Sequence, residues 1–185
     1  MNIAIYGGSF DPVHIGHEMI INKLSLINYI DKLIVVPAYL NPFKQKYLLH
    51  PQDRFDILTD LFGLNSDILI SDFEIQRKVS TPSILTVEHY IKLYNPTKIY
   101  LIIGADNLKT LHLWDNFKKL NQLVEFIVVS RDGYEVKNDT IQFKTMNMNI
   151  NISSTSLRDK LDLKYIPKKI QEKVNDIWNK ELKES

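Results

Sequence analysis

The chain contains no cysteine among its 185 residues, which excludes disulfide bonds, thiolate nucleophiles and cysteine-held metal. It also lacks an excess of charge of either sign. Lys and Arg number 23 against 22 Asp and Glu, a formal net charge of +1, so composition gives no electrostatic argument for a nucleic-acid partner. No run approaches the roughly 18 consecutive apolar residues of a membrane span. Met1-Asn2 passes straight into an apolar run, with neither a basic leader nor a small-residue cleavage site. The expectation is a cytoplasmic protein with no membrane and no nucleic acid among its partners. Repeats, low-complexity tracts and linkers are absent as well. With 44% hydrophobic and 24% charged residues, the chain suits a single domain over residues 1–185 that buries a proper core.

What is present is an alternation of short apolar runs and helical patterns. Residues 3–6, 32–37, 67–71, 98–103 and 124–130 read as strands, several of them apolar throughout. A helix starting near Ile15, one over 51–62 with Phe55, Leu58, Leu61 and Phe62 at helical spacing, and one over 83–94 lie between them. Residues 107–120 read as one or two short helices, and Arg131-Asp-Gly-Tyr134 as a turn. Met146, Met148, Ile150 and Ile152 alternate with asparagines, a half-buried strand whose methionines pack in the core. Apolar strands between helices predict a doubly wound, Rossmann-like α/β fold with a parallel sheet covered on both faces. Its ligand belongs at the carboxyl ends of the strands, and a short helical segment closes the C-terminus.

The passage from the first strand to the first helix carries the most chemistry: Gly7-Gly8-Ser9-Phe10-Asp11-Pro12-Val13-His14-Ile15-Gly16-His17. Glycines there allow a tight turn whose N–H groups approach an anion, and a helix start points its positive end at the same place. His14 and His17, three apart at the first turn, can both face one ligand, and Gly16 leaves room for a bulky group. The same pair read alone could be a solvated turn or half of a metal site. A zinc site needs three or four ligands, and His50, His89 and His112 lack ligand-like spacing, so no protein-held metal is expected. Near the other end, Ser153-Ser154-Thr155-Ser156-Leu157-Arg158 is a cluster of helix-capping hydroxyls with an arginine expected in the first helical turn. A cation there opposes the helix dipole unless an anion partners it.

His14-Ile-Gly-His17 and Ile152-Ser-Ser-Thr-x-Leu-Arg158 together resemble the two signatures of the HxGH nucleotidyltransferase superfamily. Other segments are similar to the bacterial nicotinate-nucleotide adenylyltransferases: the opening Gly-Gly-Ser-Phe-Asp-Pro; Pro37-Ala-Tyr-Leu-Asn-Pro-Phe-Lys44; Thr81-Pro-Ser-Ile-Leu-Thr86; and Ile103-Gly-Ala-Asp-Asn-Leu108 with Trp114 downstream. Phe43 stands where that family has histidine, and Pro82 where it has tyrosine. The resemblance implies transfer of the adenylyl group of ATP to nicotinate mononucleotide, with Mg²⁺ carried by the ATP. It implies catalytic roles for His14, His17, Lys44 and Arg158. On the ATP side it points to Gly7, Gly8, Ser9, Phe10, Gly104, Asp106, Ile152, Ser153, Ser154 and Thr155 as well as both histidines and Arg158. On the mononucleotide side it points to Lys44, Thr81, Ser83, Thr86, Asp106, Trp114 and Arg131.

Read from the residues alone, Asp106 is either an acceptor for ribose hydroxyls or a helix cap, and Trp114 either a face for a planar ring or ordinary packing. Pantetheine-phosphate adenylyltransferase is the alternative within the superfamily. A dehydrogenase-like module would want G-x-G-x-x-G, which the first turn lacks and Pro12 interrupts. A non-catalytic nucleotide-binding module has little use for both histidines together with Arg158.

Overall fold

The computed structural model describes residues 1–42, 45–131, 138, 140–148 and 152–184. In chain order the elements are β1 (Asn2–Gly8), α1 (Ile15–Ser25), β2 (Lys32–Pro37), α2 (Pro51–Phe62), β3 (Ile68–Ile70), α3 (Phe73–Arg77), α4 (Ser83–Tyr94) and β4 (Lys98–Gly104). Two 3-10 turns, Ala105–Lys109 and Leu111–Leu113, lead to α5 (Phe117–Leu123), β5 (Glu125–Arg131), β6 (Phe143–Met148), α6 (Ser154–Asp159) and the C-terminal α7 (Gln171–Glu184). The strands form one sheet in the order β3-β2-β1-β4-β5-β6, and every neighbouring pair is parallel.

Strand side chains alternate between faces, and here both faces are dry. Ala4 and Tyr6 of β1, Leu33 and Val35 of β2, and Tyr100 and Ile102 of β4 pack with Ile21, Leu24, Ile57, Leu58 and Trp178 from α1, α2 and α7. Their strand neighbours Ile3, Ile5, Ile34, Val36, Leu101 and Ile103 pack on the opposite side with Val87, Tyr90 and Leu120 from α4 and α5. The fold is therefore doubly wound, as the apolar strands predict. The sheet direction of winding reverses between β1 and β4, and a ligand crevice opens at the carboxyl ends of that pair.

Several boundaries differ from expectation for local reasons. β3 is three residues long. The five-residue α3, which the sequence reading did not assign, follows it and stops at Lys78 in the left-handed region (φ 55°). Residues 105–113 are 3-10 rather than α-helical, and α5 begins only after Asn116, also left-handed (φ 51°). β6 starts at Phe143, ahead of the alternating stretch. Of that stretch, Met148 is buried and Asn147 exposed as expected, while Ile150 lies outside the described residues. On α2 the buried face is Arg54, Ile57, Leu58 and Phe62, with Phe55 and Leu61 only half-buried.

α7 completes the layer over α2, burying Val174 and Trp178. Lys173 reaches Asp60 at 2.5 Å, and Lys169 donates to the Asp60 carbonyl. Exposed ion pairs add little, so the indole carries the contact. Trp178→Ala is expected to cost about 3–5 kcal/mol of stability, read as a lowered midpoint in chemical denaturation. An unchanged midpoint would show that α7 is not part of the cooperative core.

Candidate active site

Two cavities open at the carboxyl ends of β1 and β4, of about 380 Å³ and about 420 Å³, and they share the walls Tyr6, Gly7, Gly104 and Asn107. A Cβ on Gly7 would meet nothing within 4 Å, so the glycine keeps the floor between the two spaces clear. A Cβ on Gly8 would lie 3.1 Å from the Phe10 ring. Phe10 itself sits in the left-handed region (φ 50°), a conformation costly for a bulky residue and retained where surroundings over-determine it. Its buried ring meets Tyr6 edge-on at 5.4 Å and His17 at 4.8 Å between centroids.

The smaller cavity is lined by Gly7, Ser9, Phe10, His14, His17, Gly104, Asp106, Ile152, Ser153 and Ser154, which brings together most of the residues expected on the ATP side. His14 caps α1 and His17 is its third residue. Their rings stack with centroids 3.7 Å apart and 20° between planes. The main-chain N–H of His14 donates to His17 Nδ1 at 3.3 Å, which leaves the ring proton of His17 on Nε2. Gly16 differs in purpose from the expectation. A Cβ there would press on the His14 ring at 3.0 Å and Ile152 at 3.3 Å, so the glycine lets the histidine and the second signature close together rather than making space for a ligand.

α6 is stitched to the first loop: Ser154 Oγ donates to the Pro12 carbonyl at 3.1 Å and Arg158 Nη1 to the Asp11 carbonyl at 2.9 Å. Ser153 caps the helix, accepting from the Ser156 N–H at 3.2 Å. Because α6 has six residues, Arg158 falls in its last turn, not the first. The anticipated conflict with the helix dipole does not arise. Arg158 also donates to Thr155 Oγ1 at 2.9 Å, and neither of these two residues contributes to the cavity wall. Asp106 is no cap: the 3-10 turn starts after Gly104, no side chain caps it, and the carboxylate is exposed on the cavity wall. A Cβ on Gly104 would collide with Asp106 Oδ1.

The larger cavity has Gly8, Asn41, Pro42, Glu74, Thr81, Ser83 and Trp114 in its wall. Thr81, Ser83 and Trp114 thus meet as expected, whereas Gly8 faces this side and Asp106 the other. Thr86 lies behind the wall, buried, with its hydroxyl donating to Glu74 Oε1 at 2.6 Å. The Trp114 Nε1 is buried and, among the described residues, has no hydrogen-bond partner, while the residue lines the space. Lys44 lies outside the described residues, as does the side chain of Arg131.

Sequence reasoning missed two charged residues. Glu74 is 7% exposed, and burial pushes its carboxyl up to about 7 against the opposing pull of Thr86 and Arg77. No local pattern in a five-residue helix announces it. Arg54 is 1% exposed. Its guanidinium donates to the carbonyls of Ser9 (2.5 Å), Ala38 (2.7 Å), Tyr39 (2.9 Å) and Leu49 (3.0 Å). Burial pulls it below the ordinary arginine range, offset in part by Asp11. Its place one turn before Ile57 and Leu58 on the apolar stripe was the available signal.

Over residues 5–160 the chain matches the cytidylyltransferase-like family. It is 45% identical over 175 residues to a protein of Aliarcobacter butzleri (strain RM4018) named probable nicotinate-nucleotide adenylyltransferase, with 94% of this chain and 95% of that protein covered. A protein of the same name from Campylobacter jejuni (strain RM1221) is 42% identical over 180 residues, 97% of this chain and 98% of that one. Among solved structures, Plasmodium falciparum nicotinic acid mononucleotide adenylyltransferase complexed with NaAD superposes with a TM-score of 0.76 at 26% identity, covering 92% of this chain and 95% of that chain.

The raised Glu74 carboxyl makes stability depend on pH. The folded state holds this proton up to about pH 7, while the unfolded chain releases it near the ordinary glutamate value. The favourable contribution is thus full below about pH 4.3 and lost as pH rises through 7. Glu74→Gln, which cannot ionise, is expected to gain about 3 kcal/mol on the unmutated protein between those limits, measured by denaturation at pH 4.5 and 8. A pH-independent difference would refute the burial argument.

Proposed function

The chain belongs to the cytidylyltransferase-like family and, within it, to the nicotinate-nucleotide adenylyltransferases, and on that premise we propose how its two cavities carry out the reaction. It is a nucleotidyltransferase: ATP and nicotinate mononucleotide give nicotinate adenine dinucleotide and pyrophosphate. The observation that supports our division of labour is the shared wall at Gly7. ATP takes the cavity between the histidines and Ser153, and the mononucleotide takes the one beside Trp114. A phosphate oxygen of the acceptor then attacks the α-phosphorus over the cleared glycine floor. One P–O bond forms to that oxygen and the bond to the α,β-bridging oxygen breaks, with no protein nucleophile required.

His17 Nε2–H and the main-chain N–H groups at the start of α1 are assigned to the phosphates, where charge grows as pyrophosphate leaves. His14 supports the same charge from the stacked position. Arg158 is assigned to the rim through its tether to Asp11, and Lys44, outside the described residues, keeps the catalytic role that the resemblance implies. Asp106 is assigned to ribose hydroxyls. Trp114 offers a face to the pyridine ring, and Ser83 and Thr81 polar contacts around it; Arg131 keeps the mononucleotide-side role that the resemblance implies. Mg²⁺ belongs to the proposal as the ion that neutralises the triphosphate. Among the described residues Asp106 is the single carboxylate on that cavity wall and no group of three metal-ligating side chains occurs, a donor set suited to an ion held chiefly by phosphate and water. A cytoplasmic setting is part of the same proposal.

Pyrophosphate release from ATP, measured with nicotinate mononucleotide, nicotinamide mononucleotide and phosphopantetheine as acceptors, tests this reading. The nicotinate acceptor is expected to lead, and preference for phosphopantetheine would overturn the assignment. His17→Ala is expected to lower turnover by roughly a hundred- to a thousand-fold with the fold intact. Near-normal turnover at saturation would remove His17 from the phosphate site. Trp114→Ala is expected to raise KM for both pyridine acceptors and leave KM for ATP within about twofold; an equal rise for ATP would move the indole out of the acceptor site.

A further inference from the structure

Glu74 is a buried carboxyl in the wall of the larger cavity, beside Thr81, Ser83 and Trp114, and the reaction as described has no use for it. Its Oε1 accepts the Thr86 hydroxyl at 2.6 Å. Among the described residues no hydrogen bond reaches Oε2 and no cation lies within ion-pair distance. Arg77, one turn along α3, spends its Nε on Thr81 Oγ1 at 3.2 Å. Resting on the proposed acceptor site, the problem is then one of charge. Nicotinate mononucleotide brings a carboxylate into a cavity whose wall already holds Glu74 and Asp115, and carboxylates crowded into one confined site do not all stay ionised.

We propose that Glu74 is the residue that reads the pyridine substituent: as a neutral acid it donates its Oε2 hydroxyl to the acceptor's carboxylate, and as a carboxylate it repels it. The proton is Glu74's own or is taken from solvent on binding; no other bond changes. A carboxamide behaves differently, since its NH₂ donates to an ionised Glu74 and its oxygen accepts from a neutral one. The acid is therefore favoured only while the proton is present, whereas the amide is indifferent. Burial already holds the carboxyl near the required range, at about 7.

The charged and titratable groups near Glu74 are Arg77, Tyr90 and Asp115, and they are the same for both acceptors. Arg77 of α3 pulls against the burial of Glu74. Tyr90 of α4, which burial pushes up to about 12, stays neutral. Asp115 lies on the same cavity wall, after the 3-10 turns. Titration of the acceptor phosphate and of the histidines is common to both acceptors and cancels in their ratio.

The test is kcat/KM for nicotinate and nicotinamide mononucleotides at saturating ATP between pH 6.5 and 8.5, a quantity that reports the free enzyme. The acid-to-amide ratio is expected to fall about 25-fold across the interval in the unmutated enzyme, the change in neutral fraction of a group titrating near 7. Glu74→Gln, which donates but cannot ionise, is expected to hold the ratio within about twofold. A flat ratio in the unmutated enzyme, or an undiminished slope in the glutamine variant, would overturn the proposal. A second measurement needs no variant. Calorimetry of each acceptor at pH 7.5 in two buffers of different ionisation enthalpy should find uptake of most of a proton with the acid beyond that with the amide, and equal uptake would also overturn it. Failure of both mononucleotides to drive pyrophosphate release at any pH is a separate result that removes the reaction itself.

Discussion

The guanidinium of Arg54 is the point on which the geometry of both cavities hangs. It gathers carbonyls from the glycine turn after β1, from the segment after β2 and from the start of its own helix. The Asp11 carboxylate faces it from the first loop and accepts the N–H groups of Leu48 and Leu49 at 3.0 and 2.8 Å. Loops of this kind expose backbone groups that must be satisfied once buried, and here one planar cation with five donors satisfies four carbonyls from three segments. The glycine turn and the segment leading to Asn41 and Pro42 are thereby held to one centre. A lysine, a point charge without a planar fork, cannot reproduce that convergence.

From this centre the order extends outward by contact. Asp11 and Pro12 offer their carbonyls to Arg158 and Ser154, which places α6 against α1. Ile152 and the His14 ring then close over Gly16. Phe10, in its left-handed conformation, turns its ring onto Tyr6 and His17. The two signatures, separated by more than a hundred residues in the chain, meet because the carboxyl end of the sheet leaves one crevice for both.

How much was legible follows from how far each feature reaches. β1, β2, β4 and β5 announce themselves because burial on both faces demands apolar residues throughout, which a short window reveals. β3 and α3 are too short to show a period, and the 3-10 turns at 105–113 carry Leu108 and Leu111 at a spacing that also fits an α-helix. The histidine pair and the capping serines were legible because a helix start is a local event. Arg158 was misplaced by a turn since nothing in its neighbours marks so early an end to α6. Glu74 and Arg54 answer to partners 12 and 45 residues away, and no window contains the reason for their burial. Thr86 illustrates the same limit. A hydroxyl in the right loop read as a contact, while in three dimensions it stands behind the wall and steadies the carboxyl that lines it.

The glycine floor shared by the two cavities has a kinetic consequence. A molecule that reaches across Gly7 fills both chambers at once, so it excludes an occupant of either. On the proposed division of the two chambers, the dinucleotide product is such a molecule and is expected to compete with ATP and with the mononucleotide alike. An inhibitor made by joining occupants of the two chambers inherits this double exclusion, and when the joint matches the span its second half binds as if at high local concentration. Under that proposal, the passage across Gly7 is also the route by which a single ligand closes the enzyme to both substrates.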